Sequence, residues 1–384
     1  MAGIDLSRKR KIAFVCSGGA VKAAAFHVGV ALALEQKGFR FSGGLLEGRA
    51  EGFEADPSRS IRVYVGSSAG SLVATLLAQG GRLKDLQASF RQNLENTGIP
   101  GLKYWEMLFP RVRSPKDFLG FDNFLLGMLR NRSVQSPFTT DGITNYLRAH
   151  IIRSDRFSDL DADLFIVSTE LNQSRKVVFG KYKSAPIEPH LEYRNDVSVS
   201  DACAASMALP PMYHPYSIQI GREKRDYFDG EIREPLSEHV ARDIGCDLII
   251  CSYTHQPLRL SPARGTLASK GMHQISLQAI YQAIEQKIQS ARGYRAREQA
   301  LIERVRKFFK EKNLSMEACD ELVAELEARM THKSDVDYIY IHPRPNDTDM
   351  FLSSHFSLDR SKTERIVKKG YLAAMNSLRR AIQT

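Results

Sequence analysis

The run SIRVYVGSSAGSLVATLLAQ, Ser60 to Gln79, constrains this chain more than any other stretch. Its first part is β-branched and aromatic, its last part consists of helix formers, and a serine among small residues stands between them. A strand that passes into a helix at so tight a corner forces the vertex residue into strained backbone angles and lifts its side chain above the sheet edge. Gly66 and Gly70 let neighbouring backbone pass close by. The G-x-S-x-G pattern is weak by itself, and its place after a strand and before a helix is what gives it weight. A helix starting at Ala69 directs its positive end at Ser68, favouring the alkoxide-like charge that forms when a serine attacks a carbonyl.

Two further segments carry the same kind of chemistry. KIAFVC, Lys11 to Cys16, reads as a second buried strand, and SGGAVK, Ser17 to Lys22, as a glycine loop opening the next helix. The free amides of Gly18, Gly19 and Ala20 then converge on one small volume, which is anion-binding geometry. The phosphate-loop patterns G-x-x-x-x-G-K-[ST] and G-x-G-x-x-G do not fit here. Beside a nucleophilic serine such amides serve as an oxyanion hole, where each aimed donor contributes about 3–4 kcal/mol. The other segment is Asp229-Gly230-Glu231, closing the strand RDYFD. An aspartate there can take a serine proton directly if burial raises its pKa.

The alternation of strands and helices predicts an α/β fold, a three-layer α/β/α arrangement on a mostly parallel central sheet. DLFIVSTEL with KVVFG, and YSIQI with the RDYFD run, read as antiparallel pairs, and SVSDACAASMAL as a helix halted at Pro210-Pro211. We expect one catalytic domain over 1–384, with 81–140 as a helical insertion or cap and 262–332 as a long helical segment. Residues 101–132 mix the single tryptophan with Phe, Leu, Arg and Lys, a composition that suits either a lipid-facing cap or a subdomain packed on the sheet.

The net charge of +10 points to an acidic partner surface, nucleic acid or anionic lipid head groups, or else to a soluble surface that happens to be basic; no stretch has the pattern of a nucleic-acid module, and a peripheral anionic membrane surface is the expectation. The five cysteines lack metal-ligand spacing and read as reduced, mostly buried thiols. The apolar run after the basic N-terminus is too short and glycine-broken for a secretion signal, and no transmembrane helix is recognised. A cytoplasmic chain at the membrane periphery is the expectation, with oligomeric state left open.

In the order glycine loop with a following basic residue, G-x-S-x-G, then D-G-[GA], these segments resemble the patatin-like phospholipase family. AFHVGVALAL, DACAASMALPPMYHP and EPLSEHVARDIGCDLIICS extend the likeness to about residues 10–80 and 140–255. The resemblance implies a lipid acyl hydrolase acting on phospholipid or acylglycerol through a Ser-Asp dyad, with no metal and no cofactor. Ser68 would be the nucleophile, Asp229 its base, and Gly18, Gly19 and Ala20 the oxyanion hole. Lys22 would brace the loop, and Gly66, Gly70 and Gly230 would support the motifs.

Two departures stand out. Ala20 replaces a usual third glycine, and Glu231 replaces a small residue, adding a negative charge expected to raise the pKa of Asp229. The competing readings are a Ser-His-Asp hydrolase, using His239, His255, His342 or His355, and a non-catalytic basic protein of lipid surfaces. His27, in the first helix, reads as a packing residue.

Overall fold

The computed structural model describes residues 3–48, 56–90, 99–110, 136–182, 190–261, 265–330 and 336–382. In chain order the strands are β1 (Ile12–Cys16), β2 (Ser60–Ser67), β3 (Asp163–Glu170), β4 (Arg175–Gly180), β5 (Leu191–Arg194), β6 (Tyr216–Ile220), β7 (Glu223–Asp229), β8 (Leu248–Ser252) and β9 (Asp337–Ile341). They lie in the order β9-β8-β1-β2-β3-β7-β6, with β4 and then β5 beyond the other edge of β3. From β9 to β3 every pairing is parallel, and β4 and β7 run antiparallel to β3. Parallel neighbours need crossovers, and the helices supply them.

The helices of six residues or more among the described residues are α1 (Ala20–Gln36), α2 (Ala69–Ala78), α3 (Leu83–Phe90), α4 (Asp141–His150), α5 (Val199–Met207), α6 (Glu238–Asp243), α7 (Met272–Glu311), α8 (Met316–Arg329) and α9 (Arg360–Ala381). Successive strand residues point to opposite faces, so each central strand feeds two cores. Phe14, Tyr64 and Ile166 pack with Phe26 and Leu34 of α1, Leu77 of α2 and Leu378 of α9. Val15, Val65 and Val167 face the other way, against Val240 of α6 and Ile288 of α7. Each large apolar side chain fully withdrawn in this way contributes about 1.5–3 kcal/mol. The result is the three-layer α/β/α fold with a mostly parallel sheet that the sequence predicts.

Between 81 and 140 the described residues hold α3, a short helix Tyr104–Met107 and a two-residue ladder pairing Phe109–Pro110 with Phe138–Thr139. Most of the aromatic and basic stretch 101–132 lies outside the described residues. At its described start, Trp105 is exposed and the Lys103 ammonium stands 5.1 Å from its ring centroid. The stretch 262–332 contains the 40-residue α7, whose C-terminal half pairs with α8 through Ile302, Cys319 and Val323. All five cysteines are buried and unpaired. Among the described residues no helix is long and apolar enough to cross a membrane.

Candidate active site

Strand β3 brings two distant parts of the chain together. One of its edges is taken by β4 over Phe165–Glu170, so its other edge serves two strands in turn. β2 occupies that edge first and ends with Ser67 opposite Val167. At the next position β7 takes over, with Asp229 opposite Ser168. The last residue of β7 therefore faces the corner where β2 becomes α2. The Thr169 hydroxyl fixes the handover by donating to the Asp229 carbonyl at 3.2 Å.

At that corner Ser68 has φ 51° and ψ −128°. The left-handed region costs a residue with a Cβ about 1–2 kcal/mol, so the turn must be held from outside. The Ser68 amide donates to Ser206 Oγ at 2.8 Å, and Ser206 in turn donates to the Val167 carbonyl at 2.5 Å. The Ser71 hydroxyl donates to the Ser68 carbonyl at 2.6 Å. Both backbone groups of Ser68 are thus engaged, and only its side chain is left to act. Behind the corner α2 presses against the end of β1. A Cβ on Gly70 would lie 2.2 Å from the Cys16 carbonyl oxygen, so no other residue fits there without moving the helix. Gly66 and Gly230 are similarly crowded, against Ser71 and the Val167 carbonyl.

Asp229 is 1% exposed, and its carboxylate accepts a hydrogen bond from Ser68. The Glu231 amide donates to Asp229 Oδ1 at 2.8 Å. Burial pushes the Asp229 pKa up to about 6, and these two hydrogen bonds hold it from rising further. The charge of Glu231 is not the cause, contrary to the sequence-based expectation. The repulsion is felt by Glu231 instead, whose pKa is pushed up to about 8 by burial first and by Asp229 second. At neutral pH Asp229 is ionised and Glu231 holds its proton.

The glycine loop lies against both groups. A Cβ on Gly18 would fall 2.7 Å from Glu231 Cγ and 2.8 Å from Ser68 Cβ. Gly19, the N-cap of α1, has φ 126° and ψ 29°, a conformation that strains any other residue. Ala20 follows with φ 54°, in the left-handed region despite its Cβ. The amides of Gly19 and Ala20 have no hydrogen-bond partner among the described residues. That of Gly18 lies close enough to Glu231 to lower its pKa.

A buried residue of α1, His27, braces the loop. His27 Nε2 donates to the Ser17 carbonyl at 2.8 Å, which leaves Nδ1 to accept from the Ser252 hydroxyl at 2.6 Å. Burial pulls its pKa down to about 4, so it is a neutral brace. Lys22, also buried in α1, donates from Nζ to the Tyr281 hydroxyl at 2.8 Å, and that hydroxyl donates to His355 Nε2 at 2.7 Å.

Ser68, Asp229, Gly19 and Ala20 line one cavity of about 530 Å³ whose walls are largely apolar, including Leu72, Leu86, Met207 and Ile280. A volume and lining of this kind accept a hydrocarbon chain. Among the histidines named from sequence, His255 and His355 line this cavity. His355 is occupied by Tyr281, and His255 turns its Nδ1 toward Glu231 at 3.7 Å. His239 reaches Glu234 and Lys176, and His342 faces the Pro343 carbonyl. No imidazole hydrogen-bonds to Ser68 among the described residues.

The sequence offered no reason to expect Tyr281 at the site, and named His255 only as one of four histidines that could serve as a rival general base. Tyr281 sits in a long polar helix and His255 in a loop without a motif, so neither announces its position. No group of three or more acidic, histidine or cysteine side chains among the described residues is placed to hold a metal ion.

A family model, Patatin-like phospholipase, matches residues 14–242. No curated protein matches the sequence. A crystal structure of VipD from Legionella pneumophila aligns with a TM-score of 0.39 at 13% identity, over 97% of this chain and 67% of that one.

Proposed function

Because the chain belongs to the patatin-like phospholipase family, we propose that it hydrolyses carboxyl esters of phospholipids or acylglycerols with Ser68 as nucleophile and Asp229 as its base. The observation that carries this reading is the contact between the strained Ser68 corner and the buried Asp229 carboxylate, on the wall of an apolar cavity.

The acyl chain lies in the cavity with its carbonyl over Ser68. As Ser68 Oγ attacks, its proton passes to Asp229, whose raised pKa makes it a competent base near neutrality. The carbonyl oxygen becomes negative and is received by the amides of the Gly18–Ala20 loop, each aimed donor contributing about 3–4 kcal/mol. Asp229 returns the proton to the departing lysolipid or alcohol. Water then attacks the acyl-serine with Asp229 again as base, releasing the fatty acid. The net charge of +10 favours docking on anionic bilayers, and Leu86, Leu102 and Met107, which line the cavity, form part of the wall that receives the lipid.

Ser68→Ala is expected to lower turnover of a fatty-acyl nitrophenyl ester by roughly 10⁴–10⁶-fold, and Asp229→Asn by about 10⁴-fold, in folded protein. A fluorophosphonate should label wild type at Ser68. Turnover surviving in either variant would reject the dyad. Since Asp229 works only when ionised, activity should rise with pH through about 6.

A further inference from the structure

Glu231, His255 and Thr254 form a buried polar cluster behind the glycine loop that the mechanism above does not use. Nδ1 of His255 and Oγ1 of Thr254 are buried without a well-formed hydrogen bond, and the buried carboxyl of Glu231 is approached only loosely, by the Gly18 and Leu236 backbone and the Ser67 hydroxyl. Leaving such groups unpaired is costly, and sites that do so tend to use them. Glu231 Oε2 stands 3.7 Å from His255 Nδ1, one small side-chain rotation from hydrogen-bond reach. The other ring nitrogen, Nε2, lies 3.5 Å from where a Gly19 Cβ would be, and both residues line the cavity.

We propose that Glu231 and His255 form a proton-sharing couple in which the Glu231 carboxylic acid donates to His255 Nδ1 and so holds Nε2–H as a donor facing the cavity beside Gly19. This rests on the Ser68 reading. There the Nε2–H adds a side-chain donor on the oxyanion side of the reacting carbonyl. His255 is the group that meets substrate, and Glu231 is a positioning residue.

The protonation states fit. Burial and the nearby Lys22 and His27 pull the His255 pKa down to about 3, so its ring is neutral and one nitrogen must be bare. Glu231 stays protonated up to about 8 because it is buried beside Asp229. The other groups around the pair are Tyr281, edge-on to His255, His355, and Lys287, which donates to the Arg233 carbonyl at 3.2 Å.

Loss of the Glu231 proton reverses the couple. The ring's single proton is then carried on Nδ1 and donated as a hydrogen bond to the ionised carboxylate, the proton lost by Glu231 having gone to solvent; Nε2 becomes a bare acceptor, and negative charge appears against the Gly18 amide. Each change opposes an oxyanion.

The test is histidine-ring ¹⁵N NMR of the full chain from about pH 6.5 to 9.5, with His255 assigned by the signal missing in His255→Gln. Wild type should show Nε2 protonated at the lower end and Nδ1 protonated at the upper end. Glu231→Gln keeps an amide donor but cannot titrate, so its ring should hold Nε2–H throughout. In parallel, ester turnover should fall roughly tenfold per pH unit above about 8 in wild type and not in Glu231→Gln. A wild-type ring that keeps one tautomer across this range overturns the proposal, even if the variant does not fold. So does an alkaline fall that persists in Glu231→Gln. Neither ring result depends on hydrolysis, so failure of the Ser68 reading, seen as turnover by Ser68→Ala, is told apart from failure of the couple.

Discussion

The corner between β1 and α1 and the corner between β2 and α2 are built alike and differ in what they leave free. Each ends a parallel strand, opens a helix and holds a non-glycine residue in the left-handed region, Ala20 at φ 54° and Ser68 at φ 51°. At the Ser68 corner the amide goes to Ser206 and the carbonyl receives Ser71, so the backbone is consumed and a hydroxyl is presented. At the other corner the vertex is glycine, the Gly19 and Ala20 amides are unpaired, and the backbone itself is presented. On the proposed mechanism one corner offers a nucleophile and the other offers donors, because different groups have been tied down. The strain is shared and the chemistry is not.

The largest effect expected from this difference is at Gly19. Gly19→Ala would force a Cβ to within 2.8 Å of Thr254 Oγ1 and 3.0 Å of the Ala23 Cβ at φ 126°, so the loop must turn and its amides must swing. On the proposed mechanism kcat should fall about 10²–10³-fold with KM little changed, the signature of lost transition-state donors. An unchanged kcat would mean that the two corners do not divide the work in this way.

How much of this was readable beforehand follows from the same contrast. The Ser68 corner is written locally: strand, small residues and helix are contiguous, and a period-2 run meeting a helix former marks the vertex. The mostly parallel α/β/α architecture follows from the same alternation. The partner of Ser68 is not local. Asp229 faces it because β7 continues the edge of β3 where β2 stops, a fact of strand order that no single segment contains. Family resemblance named Asp229, whereas composition alone would have left an ordinary Asp-Gly turn. Glu231 was misjudged because charge can be read from a sequence and burial cannot. With both carboxyls inside, burial first and repulsion by Asp229 second cost the weaker acid its charge instead of adding charge beside the base. Tyr281 arrives from an element with no motif and is found only by packing, and only packing separates His255, which lines the cavity, from His239 and His342, which do not.

A middle-sized effect sharpens the other corner. Ser206→Ala removes the acceptor of the Ser68 amide and the donor to the Val167 carbonyl, both buried. Leaving these groups unpaired should cost about 1–3 kcal/mol of stability, read by urea denaturation. The same slackening should lower kcat by roughly tenfold, because the hydroxyl no longer sits on a fixed vertex. Full activity together with full stability would show that the turn is held by packing alone.

The smallest effect is the most discriminating, because it separates shared strain from unshared chemistry. Ala20→Gly removes a Cβ from a left-handed position, where it costs about 1–2 kcal/mol, and adds glycine's chain entropy, a cost of about 0.5–1 kcal/mol. The difference leaves the variant more stable by no more than about 1.5 kcal/mol, a rise in Tm of at most about 2 °C for a chain of this size. The backbone angles need not change, so the amides keep their aim and kcat should stay within about twofold. Ser68→Gly relieves the same kind of strain and should stabilise by a similar amount, yet it removes the nucleophile and with it turnover. Equal gains in Tm with opposite outcomes in activity are what the two corners predict. A tenfold fall in kcat for Ala20→Gly would instead place the Ala20 methyl, which lines the cavity, in contact with the acyl group, making that corner a binder through its side chain as well as its backbone.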